Sequence, residues 1–155
     1  MLAPCYKRYS PIASSSSSSV PSSLVGRESE YKYVWADRME KTLKFFEKHL
    51  LSTFQIIALQ EFWVDNEYLK AFQDIVRQKG FELTTQRRHP TRKGDALALC
   101  VDSSVIEIKE TSKIDLCTES DRIGHIVWLC HRKSKKNILV ANTHLSFPHD
   151  EFERH

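Results

Sequence analysis

The sequence has no long apolar run, few cysteines and little net charge, and each shortage excludes a class of protein. In 155 residues, no apolar stretch approaches the roughly 20 residues that cross a bilayer, so we expect no membrane span. The four cysteines are far apart and form no CxxC pair, which argues against a disulfide framework and structural zinc. With 23 Lys and Arg against 20 Asp and Glu, the chain permits an anionic substrate without demanding nucleic acid as its partner.

The length suits one domain, and its start is of low complexity. Residues 10–23 are rich in serine and proline and have no means of burying a core, so we expect a flexible loop over residues 10–30. The same serines would suit an organelle transit peptide, although residues 2–9 lack its amphipathic helical period. Without a signal peptide or paired cysteines, a cytoplasmic or nuclear location is favoured, and organelle targeting stays open.

The first half of the remaining chain predicts two helices around a strand. Apolar residues recur at helical spacing from Val34 to Leu50, which indicates an amphipathic helix of about five turns. The apolar run over residues 55–61 predicts a strand buried on both faces. Asp65 can cap a second helix, which Gly80 would end.

The second half predicts strands. Residues 124–131 and 138–145 form a hairpin around a polar turn, and residues 148–155 start like a helix, with a proline in the first turn. Trp35 and Trp128 lie on apolar stripes and are predicted core residues, as are Cys100 and Cys130. Three further strands are predicted over residues 81–85, 95–101 and 105–109.

Two polar residues stand at the ends of apolar strands, where ligands of α/β sheets bind. Glu61 can hold Mg²⁺, which takes only one or two protein carboxylates and keeps several waters; it can equally cap a turn or pair with a lysine. His144 can donate a hydrogen bond to a phosphate oxygen or transfer a proton. Its structural alternative is a satisfied histidine at a sheet edge.

A basic loop separates two predicted strands. Residues 87–94 read RRHPTRKG, and this loop, with Arg92 as its candidate contact, can meet a phosphate backbone. The alternative is a solvated surface loop.

Five blocks, in order, resemble the endonuclease/exonuclease/phosphatase superfamily, whose fold is that of deoxyribonuclease I. Residues 56–61 (IIALQE) resemble its D-I-I-A-L-Q-E block, and residues 142–145 (NTHL) resemble its N-T-H-L block. Between them, residues 94–99 (GDALAL) are similar to its G-D-G-L-A strand. Upstream, residues 35–38 (WADR) resemble its W-x-x-R helix start, and residues 2–6 (LAPCY) resemble the end of its first strand. The nearest likeness is to the carbon catabolite repressor and nocturnin-type deadenylases and to a plant-type relative.

The resemblance implies a fold and a chemistry. The fold would be the N-terminal part of a four-layer α/β sandwich, with mixed sheets and outer helices. The activity would be Mg²⁺-dependent phosphodiester hydrolysis, with Mn²⁺ as an alternative metal and RNA as substrate, by a 3′–5′ exoribonuclease of the poly(A) type. By the same resemblance Glu61 would bind the metal, His144 would contact the scissile phosphate, and Asn142 would orient the site. Pro148 would lie near a substrate-contacting proline of the deadenylases, whereas the substrate contact of Arg92 is expected from the charge of its loop alone.

Other superfamily blocks are missing, and this leads to expectations about the chain as a whole. The first-strand asparagine, the D-x-N block and the S-D-H block with its general base are not in the sequence. We therefore expect residues 1–9 to be a first-strand remnant and residues 31–155 to be a truncated domain that supplies about one of its two sheets and has little or no activity. Two alternatives stay open: a non-catalytic fragment that binds nucleic acid or protein, and a phosphatase or sphingomyelinase-like member of the same fold.

Overall fold

The structure, a computed structural model, describes residues 8–9, 26–88, 94–117 and 122–145. Within these ranges, neither helix is long and apolar enough to cross a membrane. Two short strands, β1 (Arg8–Tyr9) and β2 (Gly26–Arg27), pair with each other and belong to neither of the larger sheets. The remainder of the predicted remnant and loop over residues 1–30 lies largely outside the described residues, as does the predicted helix start at 148–155.

Both predicted helices are confirmed. The first, α1 (Lys32–Phe45), continues into a π-helical segment, Phe46–Leu50. The second, α2 (Asn66–Gln78), starts at Asp65, whose carboxylate accepts hydrogen bonds from the backbone N–H groups of Glu67 and Tyr68 and so caps the helix. Gly80 follows the helix with φ of +76°, a conformation that glycine adopts without the steric cost of a Cβ atom.

The first three-stranded sheet contains β3 (Ile56–Trp63), β4 (Phe81–Arg87) and β5 (Asp95–Asp102). Its strand order is β3–β5–β4, and both pairings are antiparallel. The central strand β5 is buried from Asp95 to Val101. The predicted burial of both faces of β3 is wrong, because β3 is an edge strand of this sheet and Ala58 and Gln60 are exposed.

The second sheet contains β6 (Ile106–Cys117), β7 (Arg122–His131) and β8 (Asn137–Thr143), in that order and all antiparallel. The predicted hairpin is β7 and β8. The chain therefore contributes three strands to each of two sheets, and the expectation that it supplies about one sheet is wrong.

Alternating side chains of β5 hold the layers together. Ala96, Ala98 and Cys100 pack into the core that the first sheet forms with α1 and α2. Leu99 and Val101 point the other way and pack against Ile106, Val127 and Leu129 of the second sheet. The result is three layers: helices, first sheet, second sheet.

The outward face of the second sheet is apolar and open among the described residues. Trp128, predicted to be a core residue, is 48% exposed there, so that prediction is wrong. It alternates along β7 with Val127 and Leu129, which take the positions that face the core.

His125 is a polar residue enclosed between the sheets. It is fully buried, and neither ring nitrogen has a hydrogen-bond partner. Burial lowers its pKa below the ordinary 6.5, because a charged ring would lose its hydration without gaining a partner. The imidazole is therefore held neutral in the folded protein.

The stability of the fold should consequently decrease in mild acid. The unfolded chain takes up the proton of His125 near pH 6.5, the folded chain only at lower pH, so the stabilisation is complete above 6.5 and is lost as the pH falls toward the lowered pKa. We expect the free energy of unfolding in urea to be lower at pH 5.5 than at pH 7.5. His125→Leu should remove most of this difference, and His49→Leu, at an exposed position, should not. Equal acid sensitivity of His125→Leu and the wild type would contradict the interpretation.

Candidate active site

Three consecutive contacts join β3 to β8, and so join the two sheets. The Asn142 side chain donates to the Leu59 carbonyl at 3.0 Å, the Gln60 side chain donates to the Thr143 carbonyl, and Glu61 lies beside His144. Because the residue numbers rise together on both strands, β3 and β8 run side by side in the same direction. Their carboxyl ends therefore meet, which brings together the two residues that the sequence singled out.

A β-bulge in β3 shapes this meeting point. Leu59 pairs with Ala98 and Phe62 with Ala96, so Gln60 and Glu61 together stand opposite the single residue Leu97. A bulge breaks the strict alternation of side chains along a strand. As a result, both Gln60 and Glu61 reach β8, where one of them would otherwise point to the opposite face of the sheet.

Glu61 has a strained backbone. Its φ is +51°, in the left-handed region that side chains with a Cβ atom rarely adopt. Such outliers persist where the surrounding structure enforces them and concentrate at functional sites. Glu61 is held here by the bulge, next to a histidine. The prediction that it ends the strand is wrong, because β3 continues for two more residues, to Trp63.

The Glu61–His144 site consists of the carboxylate of Glu61 and the imidazole of His144. Glu61 Oε1 and His144 Nδ1 are 3.9 Å apart, too far for a hydrogen bond, and their side chains are 22% and 32% exposed. His144 Nδ1 is buried without a hydrogen-bond partner. An acceptor and a potential donor thus face the same small, partly solvent-accessible space without satisfying each other.

Asn142 connects the strand that precedes His144 to the first sheet. It is 5% exposed, and its Nδ2 donates to the carbonyls of Leu59, on β3, and Ala98, on β5, at 3.0 and 3.1 Å. Both donors of its amide are therefore used to tie β8 to the first sheet. Asn142 therefore holds β8 against β3, the strand that carries Glu61.

Two arginines make contacts that the sequence did not predict. Arg122 donates from Nη1 to the backbone carbonyl of His144 at 2.9 Å, which anchors the end of β8. Arg88 and Asp95 form a buried ion pair of 2.9 Å at the start of β5. The contact of Arg122 joins residues 22 positions apart, which residue spacing does not reveal. Arg88 is seven residues from Asp95 and lies in the basic loop, and this position was the one available signal.

Two further predicted substrate contacts and a metal ion remain to be located. Arg92 and Pro148 lie outside the described residues. Among the residues that are described, no group of three or more His, Cys, Asp or Glu side chains is placed to hold a metal ion. A single carboxylate such as that of Glu61 is compatible with Mg²⁺, because this ion accepts one or two carboxylates and completes its octahedral shell with water and substrate oxygens.

Comparison with known proteins shows which fold the described residues have. No protein-family model matches the chain. An uncharacterised calcium-binding protein of Arabidopsis thaliana is 25% identical over an alignment of 163 residues, gaps included. The alignment covers 97% of this chain and 30% of that protein. ANGEL2, a 2′,3′-cyclic phosphatase solved with adenosine-2′,3′-vanadate, matches with a TM-score of 0.62 and 23% identity over 72% of this chain and 33% of that one. The human nocturnin catalytic domain with bound sulfate matches with a TM-score of 0.60 and 19% identity over 76% and 45%.

These likenesses define the fold. ANGEL2 and nocturnin are members of the endonuclease/exonuclease/phosphatase superfamily, so the described part of this chain has the α/β fold of the N-terminal part of such a domain. The fold class inferred from the sequence is thereby confirmed, and the fold is the one that the resemblance implied. The chain spans 30% to 45% of the length of these three proteins.

Proposed function

We propose that the chain is part of a divalent-metal-dependent phosphodiester hydrolase whose reacting phosphate binds at the Glu61–His144 site. The observation that carries the proposal is the 3.9 Å approach of a carboxylate on a strained bulge and an imidazole from another sheet. Neither residue belongs to the two apolar clusters of the described core, and the energetic cost of a left-handed glutamate is of order 1–2 kcal/mol.

Each side chain has a role at the phosphate. Glu61 would hold Mg²⁺, with Mn²⁺ as a substitute, and when bound the cation would neutralise charge on the phosphate oxygens. His144 would donate a hydrogen bond to a non-bridging oxygen and so orient phosphorus for in-line attack by water. Arg122 fixes the backbone of His144, and Asn142 fixes the strand that carries Glu61.

The substrate we favour is RNA, cleaved from its 3′ end as a poly(A) tail is, in the cytoplasm or nucleus. This choice follows the nearest likeness of the sequence, which is to the deadenylases of the superfamily, and the fold likeness to nocturnin. The described residues provide one metal ligand and one phosphate contact, and hydrolysis also needs a base for the attacking water. We therefore propose that this chain alone binds substrate and turns it over slowly or not at all.

A second candidate substrate is a 2′,3′-cyclic phosphate. The fold likeness to ANGEL2, solved with an adenosine-2′,3′-vanadate, favours it. The same carboxylate and histidine would serve, because the reacting group is again a phosphodiester. Competition between oligoadenylate and adenosine-2′,3′-cyclic phosphate for the chain would rank the two ligands.

Loss of the imidazole should weaken binding of the phosphate. We expect His144→Leu, which removes the donor, to reduce the Mg²⁺-dependent affinity for fluorescent oligoadenylate about tenfold or more, because a hydrogen bond to a charged group contributes about 1.5–3 kcal/mol. Fluorescence anisotropy with and without Mg²⁺ measures this affinity. The exposed His49 gives a matched control, His49→Leu, which should bind like the wild type. Equal affinity of all three proteins would rule out a phosphate contact of His144.

A further inference from the structure

We propose that Gln60 is a positioning residue of the Glu61–His144 site, and that its hydrogen bond to the Thr143 carbonyl sets the distance between the metal-binding carboxylate and the phosphate-binding imidazole. The inference rests on the proposed function for the meaning of that distance. It adds a residue that neither touches the metal nor contacts the substrate.

The hydrogen bond of Gln60 connects the two residues that precede Glu61 and His144. Gln60 immediately precedes Glu61, and Thr143 immediately precedes His144. The Gln60 Nε2 donor spans the two sheets and meets the backbone of β8 one residue before the imidazole. A shift of β8 relative to β3 must therefore stretch this hydrogen bond and alter the Glu61–His144 separation at the same time.

The bulge explains why a glutamine can serve here. Because Gln60 and Glu61 share the position opposite Leu97, both side chains reach the same strand. Gln60 is the exposed member of the pair, so it contributes little apolar burial to the core. Its amide is long enough to cross from one sheet to the other and supplies a donor to a backbone acceptor, which an aliphatic or acidic side chain cannot do.

Gln60 and Asn142 each connect β3 to β8, and their hydrogen bonds are donated from opposite strands. Asn142 reaches from β8 to the backbone of β3, and Gln60 reaches from β3 to the backbone of β8. Asn142 is buried, and its loss would disturb the fold. The hydrogen bond of Gln60 is exposed to competing water, so its loss should disturb the geometry of the site with little effect on global stability.

The test compares Gln60→Met, which keeps the length of the side chain and removes its amide, with Gln73→Met at an exposed position of α2. In the metal-free protein, nuclear Overhauser contacts between Glu61 side-chain protons and His144 ring protons report their separation. We expect these contacts in the wild type and in Gln73→Met, and their loss in Gln60→Met. Mn²⁺ affinity should fall about tenfold in Gln60→Met, the lower end of the effect of residues that orient a metal ligand. The thermal midpoint should change by no more than in Gln73→Met.

Each result decides one way. Retained Glu61–His144 contacts in Gln60→Met would overturn the inference, and so would a fall of the thermal midpoint that accounts for the weaker Mn²⁺ binding. If the wild type itself binds no Mn²⁺ at Glu61, the proposed function fails, whereas the positioning role is still judged by the metal-free contacts alone.

Discussion

Replacing Glu61 by glutamine should abolish measurable Mn²⁺ binding by this chain. The substitution keeps the shape of the side chain and removes its negative charge, and a neutral amide is a poor ligand for a divalent cation that prefers carboxylates. Among the described residues, no group of three or more His, Cys, Asp or Glu side chains is placed to hold a metal ion in its stead. We expect a loss of affinity of more than about 100-fold, because changes in the residues that merely orient a ligand already cost about 10- to 100-fold.

Electron paramagnetic resonance of free Mn²⁺ measures this affinity directly. The control is Glu82→Gln, which removes the same charge from an exposed position on β4 and should bind Mn²⁺ like the wild type. If Glu61→Gln and Glu82→Gln bind equally well, Glu61 is not the metal ligand.

The backbone of Glu61 gives this experiment a second readout. At φ of +51°, a residue with a Cβ atom costs about 1–2 kcal/mol relative to glycine. Glu61→Gly should therefore be more stable than Glu61→Gln by about 1 kcal/mol in urea unfolding, although neither variant binds Mn²⁺. Equal stability of the two variants would show that the left-handed conformation carries no strain, and the argument that function maintains it would fail.

The largest loss of stability near the site should follow from Asn142→Asp. Nδ2 of Asn142 donates to two carbonyl oxygens, and an aspartate would present a buried negative charge to both. We expect a destabilisation of about 3–5 kcal/mol, the usual result of an unpaired buried charge. Asn142→Ala, which only leaves the two carbonyls without their donor, should cost about 1–3 kcal/mol.

Denaturant unfolding at pH 7 measures both variants. Asn137→Asp is the matched control, since Asn137 begins the same strand at an exposed position and should tolerate the charge. An Asn142→Asp variant as stable as Asn142→Ala would contradict the hydrogen bonds assigned to this amide.

The sequence predicts the elements well because their patterns are local. The apolar period of α1, the aspartate cap of α2 and the glycine that follows it are each determined by residues a few positions apart. The meeting of Glu61 and His144 is also anticipated, since both end apolar strands and both stand in blocks that resemble one superfamily. Trp128 was misassigned because periodicity shows which residues alternate along a strand and not which face is covered.

The connections between the sheets could not be predicted in the same way. Gln60 and Thr143 are 83 residues apart, and no spacing rule links them. The bulge at Gln60 and Glu61 leaves no mark in the composition of β3, because the extra residue is recognised only from its pairing with β5. The arginine that anchors His144 lies in another strand, and its contact is with backbone, which any donor of suitable length could make.

The most direct test of a phosphodiester site at Glu61 and His144 is a nuclear magnetic resonance titration of the chain with a phosphorothioate ApA dinucleotide, with and without Mg²⁺. We predict that the shifts concentrate on Glu61, Thr143 and His144 and require Mg²⁺. Shifts that are independent of Mg²⁺ and concentrate on the lysine-rich turn over residues 132–136 would contradict this account, because they would indicate binding by surface charge alone.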